Sequence, residues 1–140
     1  MNAVDTNILI YSIDSRDQAK RRLAVELIEG LPEAETVIPW QVACETAAVL
    51  RTMTRTGHFK GDYAEAVAAL HGCFPIVLPV LPVLERSIRI QLRDQVSTWD
   101  AMLIAACAEA GVNRLYTEDL QGKPRIEGVE MVNPFAQARG

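Results

Sequence analysis

Four acidic side chains occupy positions of two kinds. Two lie at strand ends, where ligand sites are typical, and two lie on apolar sides of helices, where burying a carboxylate is unfavourable. Asp5 and Asp119 follow two short β-favouring runs, at the carboxyl ends where parallel sheets place their ligands. Glu45 and Asp100 fall among apolar residues at helical spacing, so their carboxylates are predicted to face the core. Four acids in such positions would converge on one cleft, where they stay ionised together only around divalent cations.

Each of these acids also has a purely structural interpretation. Asp5 or Thr6 could cap the following helix, as both residue types commonly do. Ser97 and Asp100 match a capping box, in which the carboxylate of the later residue reaches back to the amide of the first. Asp119 alone could be a solvated turn residue. The functional interpretation therefore depends on taking the four acids together.

Glu45 is the most informative of the four. It lies three residues after Val42 and four before Val49, on the apolar side of a predicted helix, where an unpaired carboxylate is costly to bury. A salt bridge to Arg51 or Arg55 could neutralise it, but both arginines fall on other faces of the same helix. We therefore favour a functional carboxylate at this position.

A ligand set made only of carboxylates indicates Mg²⁺ or Mn²⁺ and does not suit zinc. Such cations orient a water nucleophile and stabilise the leaving oxygen in phosphodiester hydrolysis. The formal net charge of −4 normally argues against a nucleic acid partner. However, if four of the 18 acids belong to a metal site, the remaining 14 equal the 14 lysines and arginines. The net charge therefore does not exclude a nucleic acid partner, and it does not indicate one.

Short strands alternating with helices predict how these acids are positioned. The 140 residues suffice for one domain, residues 1–140, and the pattern is typical of a three-layer α/β/α sandwich with a central, mostly parallel sheet. We predict strands at Ala3–Val4, Thr36–Ile38, Ile76–Leu78, Leu115–Tyr116 and Met131–Val132. We predict helices at about Thr6–Ile13, Arg16–Glu29, Gln41–Thr56, Gly61–Cys73, Leu81–Arg93 and Thr98–Ala110.

No apolar run is long enough to cross a bilayer and no signal peptide is evident, so we expect a cytoplasmic protein without a membrane partner. Cys44, Cys73 and Cys107 form no metal-binding pair and are expected to be buried thiols.

The segments that carry the acids resemble a known family. They read AVDTNILIYSID, IPWQVACET, STWDAMLIAACAEAG and LYTEDL, followed by a closing VEMVNPF. In this order and spacing they resemble the PIN-domain ribonucleases, most of all the VapC toxins of bacterial type II toxin–antitoxin pairs, over essentially the whole chain. The resemblance assigns the catalytic, metal-binding acids to Asp5, Glu45, Asp100 and Asp119. It assigns polar supporting roles to Thr6, Asn7 and Thr117.

This resemblance implies a PIN-like fold and an endoribonuclease that depends on Mg²⁺ or Mn²⁺. It also implies a homodimer inhibited by a VapB-type antitoxin, contact with operator DNA only through that antitoxin, and growth arrest through cleavage of a structured RNA.

Basic and aromatic residues are weaker candidates for RNA contacts. Arg86 and Arg89 share one face of a predicted helix, and Arg51 and Arg55 lie on the helix that carries Glu45. Arg51 and Arg55 could rim the cleft together with further basic residues, namely Arg16, Lys20, Arg21, Arg22, His58 and Lys60. Trp40 and Trp99 could stack on a base, although packing is the more common role of such residues.

Two other functions compete with ribonuclease activity. A PIN fold could bind RNA or protein without cleaving, which would be indicated by a missing acid, yet all four acids are present. A phosphohydrolase of the haloacid-dehalogenase type also begins with a strand ending in Asp, but it needs a second acid two positions later, where this chain has Asn7.

Overall fold

A computed structural model of the chain describes residues 1–120 and 123–136. Within these residues, six strands form one sheet in the order β3-β2-β1-β4-β6-β5. Its strands are β1 (Asn2–Val4), β2 (Thr36–Pro39), β3 (Ile76–Val77), β4 (Arg114–Tyr116), β5 (Arg125–Ile126) and β6 (Val129–Val132). The helices are α1 (Thr6–Tyr11), α2 (Gln18–Gly30), α3 (Trp40–Arg55), α4 (Tyr63–His71), α5 (Pro82–Asp94) and α6 (Thr98–Glu109), with a 3₁₀ turn at Glu33–Glu35.

The connections between parallel strands place helices on both faces of the sheet. From β1 through β3 the chain moves towards one edge, with α1 packed against α2 and α3, and α3 against α4. From β3 to β4 it returns past β2 and β1 through the tightly packed pair α5 and α6. Because such crossovers are right-handed, opposite directions of travel put the two helix groups on opposite faces. This confirms the predicted three-layer α/β/α sandwich with a mostly parallel sheet.

The central strands are short and apolar because both of their faces are covered. Ala3 and Val4 of β1 and Leu115 of β4 have no solvent exposure. The predicted elements are confirmed to within a few residues, apart from one strand that the sequence pattern did not indicate. Strand β5 pairs antiparallel with β6 through a tight turn at Glu127 and Gly128, both with positive φ. Two residues are too few to show a strand period.

Several side chains differ in burial from what their types suggest. Cys107 is buried, but Cys44 is exposed, so the expectation of three buried thiols was wrong. One face of α5 is unusually apolar for a surface, with leucine and isoleucine side chains exposed at helical spacing. These are Leu81, Leu84, Ile88 and Leu92. Across the described residues, no helix combines the length and the apolar character that crossing a bilayer requires.

Candidate active site

The candidate site lies where the chain changes direction between the neighbouring strands β1 and β4. The connection that leaves β1 leads towards the β3 edge of the sheet, whereas the chain that leaves β4 leads towards the β5 edge. This divergence opens a crevice at the carboxyl ends of the two strands. Asp5 follows β1, and its backbone N–H donates to the carbonyl of Tyr116, the last residue of β4 (2.9 Å). Thr117 and Asp119 follow β4, so the two strand ends bring their polar side chains together.

Asp5 is the buried centre of the site, and it also caps helix α1. Its Oδ1 accepts from the backbone N–H of Thr6 (2.7 Å), and its Oδ2 accepts from the hydroxyl of Thr117 (2.7 Å). Burial raises the pKa of Asp5 to about 6, although these two hydrogen bonds oppose the shift, and the charges of Asp119 and Glu45 add to it. Asp5 therefore caps α1 and lines the cavity at the same time, so the capping and functional interpretations do not exclude each other.

Glu45 reaches the site from α3, where one side chain of α1 and one of its own helix hold it. Its Oε2 accepts from the hydroxyl of Thr6 (3.1 Å), and its Oε1 accepts from the Nε2 of Gln41 (3.1 Å). The same Nε2 donates to the carbonyl of Trp99 (3.0 Å), which links α3 to the first turn of α6. Sequence reasoning missed Gln41, because a glutamine near a helix start carries no distinctive pattern.

The predicted direction of Glu45 needs a correction. The core side of α3 is formed by Val42, Leu50 and Met53, whereas Val49 is exposed and Glu45 is half-buried. Glu45 and Val49 line the same cavity at the end of the sheet. The carboxylate therefore faces this cavity instead of the core, and its hydrogen bonds to Thr6 and Gln41 keep it there.

Asp100 is the acid with the fewest protein contacts. Its backbone N–H donates to the hydroxyl of Ser97, the residue that caps α6 (3.2 Å). The second half of the predicted capping box does not form, since the Asp100 carboxylate has no hydrogen bond or ion pair with any residue that the structure describes. It lines the same cavity as Asp5 and Glu45. This carboxylate is therefore available to a ligand.

Asp119 lies in the loop after β4, where Asn7 of α1 and Thr117 of the same loop hold it. The Nδ2 of Asn7 donates to Oδ2 of Asp119 (3.3 Å), and the Oδ1 of Asn7 accepts from the backbone N–H of Glu118 (3.3 Å). The Thr117 hydroxyl accepts from the backbone N–H of Asp119 (3.0 Å) while donating to Asp5. Burial, and then the charge of Asp100, raise the pKa of Asp119. All three predicted supporting residues thus contact one of the four acids.

The four acids line one cavity of about 380 Å³, which we call the acidic cavity. Its donor chemistry fits Mg²⁺ or Mn²⁺, because all four groups are carboxylates. The side chains do not converge on a single point, however, and within residues 1–120 and 123–136 no group of three His, Cys, Asp or Glu side chains is arranged to hold a metal ion. Hydrogen bonds from Thr6, Asn7 and Thr117 hold the carboxylates of Glu45, Asp119 and Asp5 in separate positions.

The four arginines predicted as RNA contacts do not line the acidic cavity. Arg51 lies 5.7 Å from the ring centre of Tyr63, and Arg55 is exposed on the last turn of α3. The two predicted arginines on α5 each pair with an acid. Arg86 lies 3.1 Å from Glu109, and Arg89 lies 3.8 Å from Glu85. Their contact with RNA stays a prediction. Among the described residues, the arginine that lines the acidic cavity is Arg16.

Both tryptophans are more exposed than packing residues would be. Trp99 is 64% exposed and Trp40 is 47% exposed, so the expectation that they pack in the core was wrong. They line a second, largely apolar cavity of about 500 Å³. This second cavity shares Gln41, Glu45 and Trp99 with the acidic cavity. The two cavities therefore adjoin.

A partly buried ion pair fastens the loop that carries Asp119. The Nζ of Lys20 on α2 binds the carboxylate of Glu118 and lies 3.2 Å from the hydroxyl of Tyr11, which also donates to Glu118 (2.7 Å). Tyr11 packs edge-on against the buried ring of Phe135, with ring centres 5.1 Å apart. This network joins α1, α2, the loop and the segment after β6.

Replacing Lys20 by methionine should destabilise the protein by about 1 to 2 kcal/mol, because the ion pair between Lys20 and Glu118 is partly buried and is lost. Urea unfolding followed by circular dichroism measures the change, with Lys60→Met as the control, since Lys60 is exposed. A Lys20→Met protein as stable as the control would show that the ion pair does not fasten the loop.

Comparisons with known proteins agree with this geometry. A family model described as the PIN domain matches residues 3–123. A chain of a toxin–antitoxin complex from Klebsiella pneumoniae superposes with a TM-score of 0.72 and 21% identity, over 96% of this chain and 98% of that one. VapC20 of Mycobacterium tuberculosis, described as a Sarcin-Ricin loop cleaving toxin, has a TM-score of 0.68 and 19% identity, over 91% and 98% of the two chains.

A third similar structure is VapBC2 from Rickettsia felis, solved bound to a DNA fragment from its promoter. It has a TM-score of 0.66 and 13% identity, over 94% of this chain and 97% of that chain. A comparison with curated protein sequences found no significant match. At these identities the structural likeness shows a shared fold.

Proposed function

Because this chain belongs to the PIN domain family and is VapC-like in structure, we propose that it is a metal-dependent endoribonuclease and the toxin of a toxin–antitoxin pair. The observation that carries the proposal is the acidic cavity itself. Four carboxylates from four separate parts of the chain line it, and the most buried of them, Asp5, is held in place by two hydrogen bonds. A fold does not need such a cluster, since it raises the free energy of the metal-free protein.

In this proposal Asp5, Glu45, Asp100 and Asp119 hold Mg²⁺ or Mn²⁺. When bound, the cation supplies positive charge that activates a water nucleophile and neutralises the charge that develops on the phosphate. Asp5 is the anchor because the hydroxyl of Thr117 and the amide of Thr6 fix both of its oxygens.

The remaining polar side chains set the positions of the other acids. Gln41 and Thr6 hold the two oxygens of Glu45, and Asn7 holds one oxygen of Asp119. Asp100 contributes a carboxylate that no described protein group neutralises. Together these contacts place the acids before a cation or an RNA strand arrives, which reduces the reorganisation that catalysis would require.

A phosphohydrolase of the haloacid-dehalogenase type is disfavoured by what Asn7 does. That chemistry needs an acid at this position to protonate the leaving group, whereas both polar atoms of the Asn7 amide are occupied by Asp119 and Glu118. A module that binds RNA without cleaving it is disfavoured by the complete set of four acids. We therefore place RNA cleavage first.

The toxin role rests on similarity to proteins described as toxin–antitoxin complexes. By extension we propose a VapB-type antitoxin as the partner, contact with operator DNA through that antitoxin, a cytoplasmic location, and growth arrest as the cellular outcome. We also propose a homodimer. The exposed apolar face of α5 supports a protein partner, because contiguous apolar surface is normally covered.

The test is to incubate purified, antitoxin-free protein with total RNA and with single-stranded DNA, in Mg²⁺, in Mn²⁺ and in EDTA. We expect discrete RNA fragments that require the metal, and mapping their ends identifies the cleaved bond. A parallel Asp100→Asn sample guards against a contaminating nuclease. If a folded protein cleaves no RNA under any condition, the ribonuclease proposal fails and the non-cleaving module replaces it.

A further inference from the structure

A buried acid and a half-exposed arginine form a second constellation on the wall of the acidic cavity. Asp14 and Arg16 lie in the turn between α1 and α2, and both line the cavity that the four acids line. Among the described residues that line this cavity, Arg16 is the only lysine or arginine. The carboxylates of this cavity repel a polyanionic substrate, and a positively charged side chain in the cavity wall would offset that repulsion.

The guanidinium of Arg16 is held in one orientation. Its Nε donates to Oδ1 of Asp14 and its Nη2 donates to Oδ2, both at 2.9 Å, and the backbone N–H of Arg16 adds a third bond to Oδ1 (3.1 Å). Asp14 is itself anchored, because its backbone N–H donates to the carbonyl of Ile10 on α1 (3.0 Å). A two-pronged pair of this kind fixes both the plane and the direction of the guanidinium.

The rest of the guanidinium faces outward. A guanidinium carries five N–H groups, of which two serve Asp14. The other three, on Nη1 and Nη2, have no acceptor among the residues that the structure describes. The Arg16 side chain is 51% exposed, whereas the Asp14 side chain is 7% exposed. The free edge thus presents two parallel N–H donors, the geometry that matches two oxygens of a phosphate.

We infer that Arg16 is a substrate-binding residue, which takes a backbone phosphate of the RNA strand next to the phosphate that is cleaved, and that Asp14 positions it. The inference rests on the proposed function. It separates the five acids of the cavity into two groups with different tasks. Asp14 orients an arginine, whereas Asp5, Glu45, Asp100 and Asp119 hold the cation.

The Asp14 and Arg16 pair is neutral as a whole, so its contribution is directional hydrogen bonding more than long-range attraction. A lysine at position 16 would pair with Asp14 through a single ammonium group and would have no second edge for a phosphate. The inference therefore predicts that Arg16→Lys fails almost as fully as Arg16→Ala, although the charge is conserved.

The experiment compares Arg16→Ala and Arg16→Lys with Arg114→Ala as a matched control, since Arg114 is exposed at the amino end of β4 and does not line the acidic cavity. Two substrates are used, an RNA and bis(p-nitrophenyl) phosphate, a diester with a single phosphorus. Both Arg16 variants should lower kcat/KM for RNA by about 10-fold to 100-fold, mainly through KM, in keeping with 1.5 to 3 kcal/mol for a charged hydrogen bond.

Hydrolysis of the diester separates substrate binding from a general structural role. It should change less than about threefold in both Arg16 variants, because that substrate has no neighbouring phosphate. Equal losses on RNA and on the diester would overturn the inference, as would unchanged kinetics on RNA. The Arg16→Lys variant keeps the charge beside Asp14, so it keeps the test valid if Arg16→Ala does not fold.

A binding measurement keeps this test independent of cleavage. Fluorescence anisotropy with a labelled single-stranded RNA is performed in an Asp100→Asn background, with and without Arg16→Ala. Loss of Arg16 should lower the slope of log affinity against log salt by about one, as expected for one phosphate contact. If the wild type binds RNA without cleaving it, the ribonuclease proposal fails, and the inference reduces to a phosphate contact at Arg16, which the change in salt slope still tests. If Arg16→Ala binds RNA with the parent's affinity and slope, the inference fails alone.

Discussion

Replacing Asp5 by asparagine should stabilise the metal-free protein and abolish RNA cleavage at the same time. The pKa of Asp5 rises from 3.8 to about 6 because the carboxyl is buried. At pH 7 the folded protein therefore keeps this group ionised at a cost that approaches about 3 kcal/mol. Asparagine removes the charge but keeps both contacts, since its carbonyl can accept from the amide of Thr6 and its NH₂ can donate to the hydroxyl of Thr117.

The gain in stability should depend on pH with a definite sign. In the unfolded chain Asp5 releases its proton near 3.8, whereas in the folded protein it does so near 6. The wild type therefore loses stability as the pH rises between these values, and the loss is complete above the folded pKa. Asp5→Asn has no such loss, so its advantage grows from pH 4 to pH 7.

Urea unfolding in EDTA at pH 4.5 and pH 7.5 measures this difference. Asp17→Asn is the matched control, because Asp17 caps α2 through the amide of Lys20 but is less buried, and asparagine caps helices equally well. We expect the control to lie within about 0.5 kcal/mol of the wild type. An Asp5→Asn protein that is less stable than wild type at pH 7.5 would mean that its burial does not disfavour the carboxylate.

Asp100→Asn should reduce RNA cleavage by at least about 1000-fold, equivalent to about 4 kcal/mol of transition-state stabilisation, while the protein stays folded and still binds RNA. The hydrogen bond that starts α6 comes from the backbone N–H of Asp100, so the substitution leaves the cap intact. Among the described residues its carboxylate has no hydrogen bond or ion pair, so the substitution removes no such contact from the fold.

Glu65→Gln is the matched control for Asp100→Asn, since Glu65 is an exposed acid in the first turn of α4. Cleavage of a labelled RNA under single-turnover conditions measures the rates. The control should cleave like the wild type. Cleavage by Asp100→Asn within tenfold of the wild type would remove Asp100 from the proposed catalytic set.

The acids and their elements could be predicted from sequence because each carries a local signal. Asp5 follows an apolar strand, and Glu45 and Asp100 interrupt apolar helical stripes. Family membership and the sandwich fold, both predicted from these segments, are confirmed. The roles of the acids stay predictions, although their placement around one cavity agrees with them.

Other features could not be predicted because they depend on the placement of distant segments. Gln41 bridges Glu45 and the carbonyl of Trp99, a contact between residues 58 positions apart. Periodicity put Glu45 on the core side of α3. However, the spacing of residues within one helix does not show which other segments lie against each side of that helix. The spacing of Arg86 and Arg89 predicted a basic face, but in the structure each of them pairs with an acid. Arg16, which sequence reasoning put at the rim of the cleft within a larger basic group, does line the cavity, but the sequence alone did not single it out from that group.

Binding of Mn²⁺, followed by electron paramagnetic resonance in samples whose RNA cleavage is also measured, tests most directly whether the four carboxylates hold a catalytic cation. For the wild type we expect cleavage to rise in proportion to bound Mn²⁺, to stop in EDTA and to return when Mn²⁺ is restored. For Asp5→Asn we expect Mn²⁺ affinity to fall at least about tenfold, with cleavage lost. Wild-type affinity for Mn²⁺ in Asp5→Asn, or wild-type cleavage that persists in EDTA, would contradict the assignment.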